Sequence, residues 1–276
     1  IMRETASELV FDADAIDRER GVILSEERFR NTAIRRWSTA LQYFQLPGTL
    51  IPERDPIGTV EILETVQRDH FVDYYENFYV PQRGMVVVVG SIDPDDIEAK
   101  IHEVFGDWQA REDVRPDPEL GDVLEARPFS VGYFNDPEVF TIFTVNAIRP
   151  HQSEADTGES RFRDNLASFG DAILSRRLRT IVNSGVSPLL QAAASHSTSY
   201  EMADEAGVLA VATPERWAEA VAVIEQELRR ATEYGFTQAE LDEQLANFRT
   251  SLQNSADQAG TRDSAQLSDA IWSSWR

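Results

Sequence analysis

The 276 residues carry 48 acidic against 26 basic side chains, a net charge of −22, with 42% hydrophobic residues and no cysteine. That balance argues against nucleic acid as a partner, since phosphate binding needs lysine and arginine gathered on one face, and it leaves no disulfide and no thiolate metal site. The length suits two domains with a real core, and with no apolar run near 18 residues no membrane span is expected.

Taken in order, residues 14–30 show helical spacing, and Asn31 to about Gln45 form a second helix with Trp37, Leu41 and Phe44 as its apolar positions. Pro47-Gly48 ends it, and Thr59 is placed to cap a helix that continues through Val66 and Tyr75 to Tyr79. Gly84 to Gly90 encloses Met85-Val86-Val87-Val88-Val89, a continuous apolar run that predicts a central strand buried on both faces. Asp93-Pro94 then starts a helix with acids at its positive end. Residues 110–126, charged and proline-bearing, read as a linker.

Beyond the linker, 129–134 and 139–148 alternate like a strand pair around Asn135-Asp136-Pro137, and a long helix is predicted over 159–182. Leu189–Tyr200 and Gly207–Ala212 read as two more strands. A helix opens at Thr213-Pro214 and ends at Gly235, and Thr237 to Glu240 is a capping-box start for the next. The tail from Thr261 to Arg276 is helical again. The fold class is therefore α+β: two related domains, each an antiparallel-rich sheet packed against helices, over 1–109 and 127–276. The first domain is expected to be incomplete at its N-terminus, because the chain opens inside a helical pattern with no signal peptide visible.

Within the first long helix, Ile16, Glu19, Ile23 and Glu26 recur at spacings of three, four and three, so two places on an apolar stripe are held by glutamate. Two helical turns put Glu19 and Glu26 on one side, roughly 10 Å apart. Carboxylates on a buried stripe need a paired cation. Arg20 or Arg30 fills that need, and so does a metal; a helix half in solvent gives the same pattern. His70, His102, His151 and His196 show no ligand spacing and read as ordinary surface or core residues. Arg176, Arg177 and Arg179 near a helix end read as partners of the helix dipole. No nucleophile elbow, Walker loop or dinucleotide fingerprint occurs.

The order of segments resembles the pitrilysin/insulinase family of zinc metallopeptidases. The matching stretches are Glu19-Arg20-Gly21-Val22-Ile23-Leu24-Ser25-Glu26, Pro56 to Leu63, Tyr74-Tyr75-Glu76-Asn77-Phe78-Tyr79-Val80-Pro81, Met85–Gly90 and Tyr234 to Leu241. Such enzymes use an inverted H-x-x-E-H helix whose histidines bind zinc and whose glutamate is the general base, with a later glutamate as third ligand. The resemblance makes Glu26 that third ligand and Glu19 its supporting acid. It implies a zinc-dependent endopeptidase in which Zn2+ activates water against a peptide or small-protein substrate. It also implies the remaining halves of the protein, or a homologous subunit, as partners, and a periplasmic or exported setting.

One departure is large. No H-x-x-E-H stands in these residues, so the chain by itself is expected to lack zinc and to be inert. The family's substrate-contacting Arg…Tyr pair falls near Arg179 and Val186, where the tyrosine is absent. A degenerate, non-catalytic member acting as a scaffold or interaction subunit is the other reading.

Overall fold

Small side chains are frequent along 189–212, and there the chain doubles back into a hairpin. A computed structural model describes residues 1–274 and shows a mixed helix and antiparallel-sheet architecture in two compact units. One unit is built from residues 1–30, 55–119 and 254–276, the other from 31–54 and 120–253.

The second unit holds the sheet. Strands β1 (Ile142–Pro150), β2 (Leu189–Ser199) and β3 (Ala203–Ala212) lie in the order β1-β3-β2, all antiparallel. Helices α7 (Gly158–Val182) and α8 (Trp217–Tyr234) bury Leu174, Leu178, Ala220 and Ile224 against Leu189, Val208, Ala210 and Ala212. The alanines on the sheet leave room for the larger leucine and isoleucine side chains, which is how close packing is reached without voids. Ser175 of α7 accepts a hydrogen bond from Ala194 N–H (2.9 Å) and donates to Ala194 O (3.2 Å), tying the helix to strand β2.

Helix α3 (Ala33–Gln45) belongs to this unit as well. Thr32 caps its start through Arg35 N–H, and Arg127 closes its end by donating to Phe44 O and to Gln45 O (2.8 Å). Phe44 lies so close over Gly132 that a Cβ there would stand 2.9 Å from the ring, so only glycine fits.

The predicted pairing of 129–134 with 139–148 does not form. Strand β1 pairs instead with β3 across nine residues, from Ile142↔Val211 to Pro150↔Ala203. The turn that was to close the hairpin is held otherwise. Asp136 accepts from Glu138 N–H (3.0 Å) and is gripped by Arg36 of α3 at 2.7 Å. Phe129, Val131 and Tyr133 are left 94%, 79% and 90% exposed.

The first unit is helical: α1 (Met2–Ser7), α2 (Ala13–Arg30), α4 (Val60–Thr65), α5 (Arg68–Phe78) and α6 (Pro94–Phe105). Thr59 and Asp93 cap α4 and α6 as their sequences require. One helix was expected from Thr59 to Tyr79, but the chain breaks at Val66, where ψ swings to 129°. Arg20 supplies the reason: its guanidinium donates to Leu63 O and to Val66 O (2.8 Å), taking the carbonyls a continuing helix would use. Tyr75 and Val80 are buried in this unit, the Tyr75 hydroxyl donating to Thr5 O (2.9 Å) with Phe11 edge-on to its ring.

Met85–Val89 is not a strand. Its backbone makes no backbone hydrogen bond among the described residues, which include no strand in this unit for it to pair with. Helices α9 (Gln238–Asp257) and α10 (Ser264–Ser274) follow, and the last two residues of the predicted helical tail lie outside the described residues.

The β2–β3 turn carries strain. Tyr200 and Glu201 both take left-handed φ, 55° and 54°, in a turn closed by Met202 N–H to Ser199 O at 3.0 Å. Replacing Glu201 by glycine removes the steric cost at the second of these positions and is expected to raise stability by about 0.5–1 kcal/mol. Urea unfolding midpoints of the two proteins check it.

Candidate functional site

The glutamate stripe lies on α2, an 18-residue helix with no buried residue. Glu19 is exposed, and the Glu26 side chain is 45% exposed, paired to Arg30 one turn later at 2.6 Å. The expectation that these carboxylates sit in apolar surroundings is therefore corrected for this chain: water and Arg30 meet the charge of Glu26. Ile16 and Ile23 on the same stripe are only half-buried. Periodicity defined the face, and nothing in the sequence said what covers it. Arg20, the other candidate partner, is committed to the end of α4 and stands 3.5 Å from Asp17.

The residues present do not make a zinc site. A catalytic site needs three protein ligands, and among the described residues no group of three histidine, aspartate or glutamate side chains converges. Each of two histidines has a carboxylate of its own: His151 Nδ1 meets Asp204 at 2.8 Å, and His196 Nδ1 meets Asp171. His70 and His102 are exposed on helices. The fit fails, and this chain's own residues hold no zinc without further ligands.

The most strongly perturbed carboxyl lies elsewhere, between α7 and α9. Arg177 grips Glu240 with both arms, Nε to Oε1 at 2.6 Å and Nη2 to Oε2 at 2.8 Å. Thr237 adds its N–H and its hydroxyl to Oε2, each at 2.8 Å. The guanidinium, with help from Thr237, outweighs burial and holds the Glu240 carboxyl down at about 2. The same Arg177 lies over the Phe236 ring and donates to Gly235 O, the carbonyl just past α8. Beside it a cleft of about 120 Å³ is lined by Ile173, Arg176, Thr180 and Gln244.

The arginine cluster thus differs from its sequence reading. Arg176 and Arg177 pair across to Glu243 and Glu240 of α9, and only Arg179 occupies the last turn of α7. The capping box announced Glu240, but its partner 63 residues away carried no local signal.

A sequence profile described as the peptidase M16 inactive domain matches residues 65–248. The probable zinc protease PqqL of Escherichia coli (strain K12) is 24% identical over 275 residues, which cover 99% of this chain and 29% of that protein. The chain therefore spans less than a third of that relative's length. Among solved structures, the first half of the periplasmic protease PqqL from Escherichia coli superposes with a TM-score of 0.87 at 24% identity, covering 99% of this chain and 58% of that one. Pitrilysin superposes with a TM-score of 0.65 at 16% identity, covering 98% of this chain and 29% of its own. These likenesses establish the fold. No helix among the described residues is long and apolar enough to cross a membrane.

Glu240 yields a pH prediction. Its folded-state value of about 2 lies below the ordinary 4.5, so the stabilisation is full above about 4.5 and fades as pH falls toward 2. Glu240→Gln is expected to cost about 2 kcal/mol at pH 7, and less than half of that difference should remain at pH 3. Urea midpoints of both proteins at the two pH values check the direction and the window.

Proposed function

Since the chain belongs to the peptidase M16 inactive-domain family, we propose that it forms part of a zinc-dependent endopeptidase acting on peptides or small proteins. The observation that carries this is one alignment along 99% of the chain with a relative named as a probable zinc protease. On this reading residues 1–109 are the C-terminal part of a catalytic-type domain, 110–126 a linker, and 127–276 the second, non-catalytic domain. The rest of the same protein, or a homologous subunit, supplies what is missing, and the setting is periplasmic, in line with the PqqL structures.

With those further ligands, Glu26 would be the zinc-holding carboxylate, and Glu19, two turns earlier on the same side of α2, would support it. Its Oε1 holds Arg30 in an exposed i,i+4 pair of the kind worth well under 1 kcal/mol, so that pair does not bar the role. The histidine ligands and the general base come from outside this chain, and alone it cleaves nothing.

A second reading, a non-catalytic scaffold or interaction subunit, is favoured by one observation. The matched profile describes an inactive domain, and its span of 65–248 leaves out both Glu19 and Glu26.

Zinc content of the full-length protein separates the two. The peptidase reading expects roughly one zinc per catalytic site, lost together with peptidase activity in Glu26→Gln. Unchanged zinc in that variant removes Glu26 as a ligand, and a full-length protein without zinc leaves the scaffold.

A further inference from the structure

Helix α7 has two unlike halves. From Asp171 onward it is fastened to the sheet: Asp171 pairs with His196 of β2, Ile173, Leu174 and Leu178 are buried, and Ser175 bonds to Ala194 in both directions. Ahead of Gly170 the packing stops. Every residue from Arg161 to Ser168 except Asn165 is exposed, Phe162 and Leu166 at 62% and 46% among them. Only at the boundary does a ring touch another element, Phe169 standing edge-on to Phe248 of α9 at 5.4 Å. A helical segment of about twelve residues with no packed face is marginal in water. Gly170 adds to this weakness, since glycine inside a helix costs stability relative to alanine. Neither backbone nor space requires it there: its φ is not left-handed, and a Cβ would meet Phe236 at an ordinary 3.6 Å.

We propose that residues 152–170 form a flap that opens as one body from the second unit, with Gly170 as its hinge. Both ends are pinned to the sheet by a histidine–aspartate pair. His151 meets Asp204 at 2.8 Å and donates its N–H to Met202 O at 2.7 Å, and Asp171 meets His196. Between the pins, among the described residues, the backbone of 152–169 bonds to no helix or strand but α7 itself. The loop and the first turns of α7 are instead tied to each other. Arg161 pairs with Asp156 and Arg163 with Glu154, while the Ser160 hydroxyl donates to Ala155 O (3.0 Å) and accepts from Thr157 N–H (2.8 Å). Loop and helix start therefore move together. Opening gives up the Phe169–Phe248 contact and the helical bonds around Gly170, and it uncovers the Phe248 ring on α9. The inference follows from the second unit alone and stands apart from the peptidase reading.

Hydrogen exchange followed by mass spectrometry, on the full-length protein, tests it. Amides of 162–169 should exchange roughly tenfold faster or more than those of 173–181, at a rate that low urea leaves unchanged, because a local opening exposes little surface. They should still exchange more slowly than the same sequence as a free peptide, since the closed flap is helical. Gly170→Ala should slow exchange of 162–169 about fivefold, the size of the glycine-to-alanine difference in a helix, and leave 173–181 as it was. Phe169→Ala should speed it and likewise spare 173–181. Equal protection on the two sides of Gly170 in the wild-type protein overturns the flap, whether α7 opens only as a whole or other parts of the protein cover it, and that result needs no variant. Exchange of 162–169 at the free-peptide rate overturns the helical closed state. Unchanged exchange in a folded Gly170→Ala protein overturns the hinge.

Discussion

The carbonyls at a helix's C-terminal end must find donors outside the helix, and in this chain arginines reaching from elsewhere in the sequence meet that need repeatedly. Arg20 closes α4, Arg127 closes α3, Arg83 and Arg111 reach Asn77 O and Glu76 O at the end of α5, and Arg177 takes Gly235 O beyond α8. A planar guanidinium can donate to two carbonyls at once and brings positive charge to the negative end of the helix dipole. Lys100 is the one lysine in the sequence, so nearly all of the basic charge has the fork geometry this job requires. Each arginine fixes a helix end to a segment 30 or more residues away in most cases, which makes these contacts tertiary restraints as much as caps.

Arg177 shows how far one such side chain can act. It joins α7 to the first turn of α9 through Glu240, to the end of α8 through Gly235, and to Phe236 by stacking. Glu240 is already the third helical residue of a capping box and is saturated by Thr237 and Arg177 together. The α8–α9 corner is therefore set by one ion pair, and Gly235 makes the turn possible at φ 66°. Tight coupling of this kind explains why the strongest carboxyl perturbation belongs to architecture and not to the proposed metal ligand.

Local signals were legible, and non-local ones were not. Thr59, Asp93 and the Thr237 capping box mark helix starts where the structure has them, because capping is decided within four residues. Strand β2 and the 159–182 helix were readable from local pattern as well, while β3 starts at Ala203, four residues before the expected Gly207. The break at Val66 was hidden because its cause, Arg20, lies 46 residues away. The expected hairpin at 129–148 failed because β3 offers β1 a longer apolar partner, while Arg36 holds Asp136 in a different turn.

Glu19 and Glu26 and the valine run fail the local reading in a shared way. In both cases the pattern specifies a surface that is meant to be covered, and the described residues do not cover it. A helix with no buried residue and a valine run outside any sheet each leave apolar area in water, and the second makes no backbone hydrogen bond among the described residues. Both lie in the first unit, whereas the second unit closes a core of its own around Leu178, Val208 and Ile224. That asymmetry gives the contiguous apolar core to the second unit, while the first buries chiefly Tyr75 and Val80.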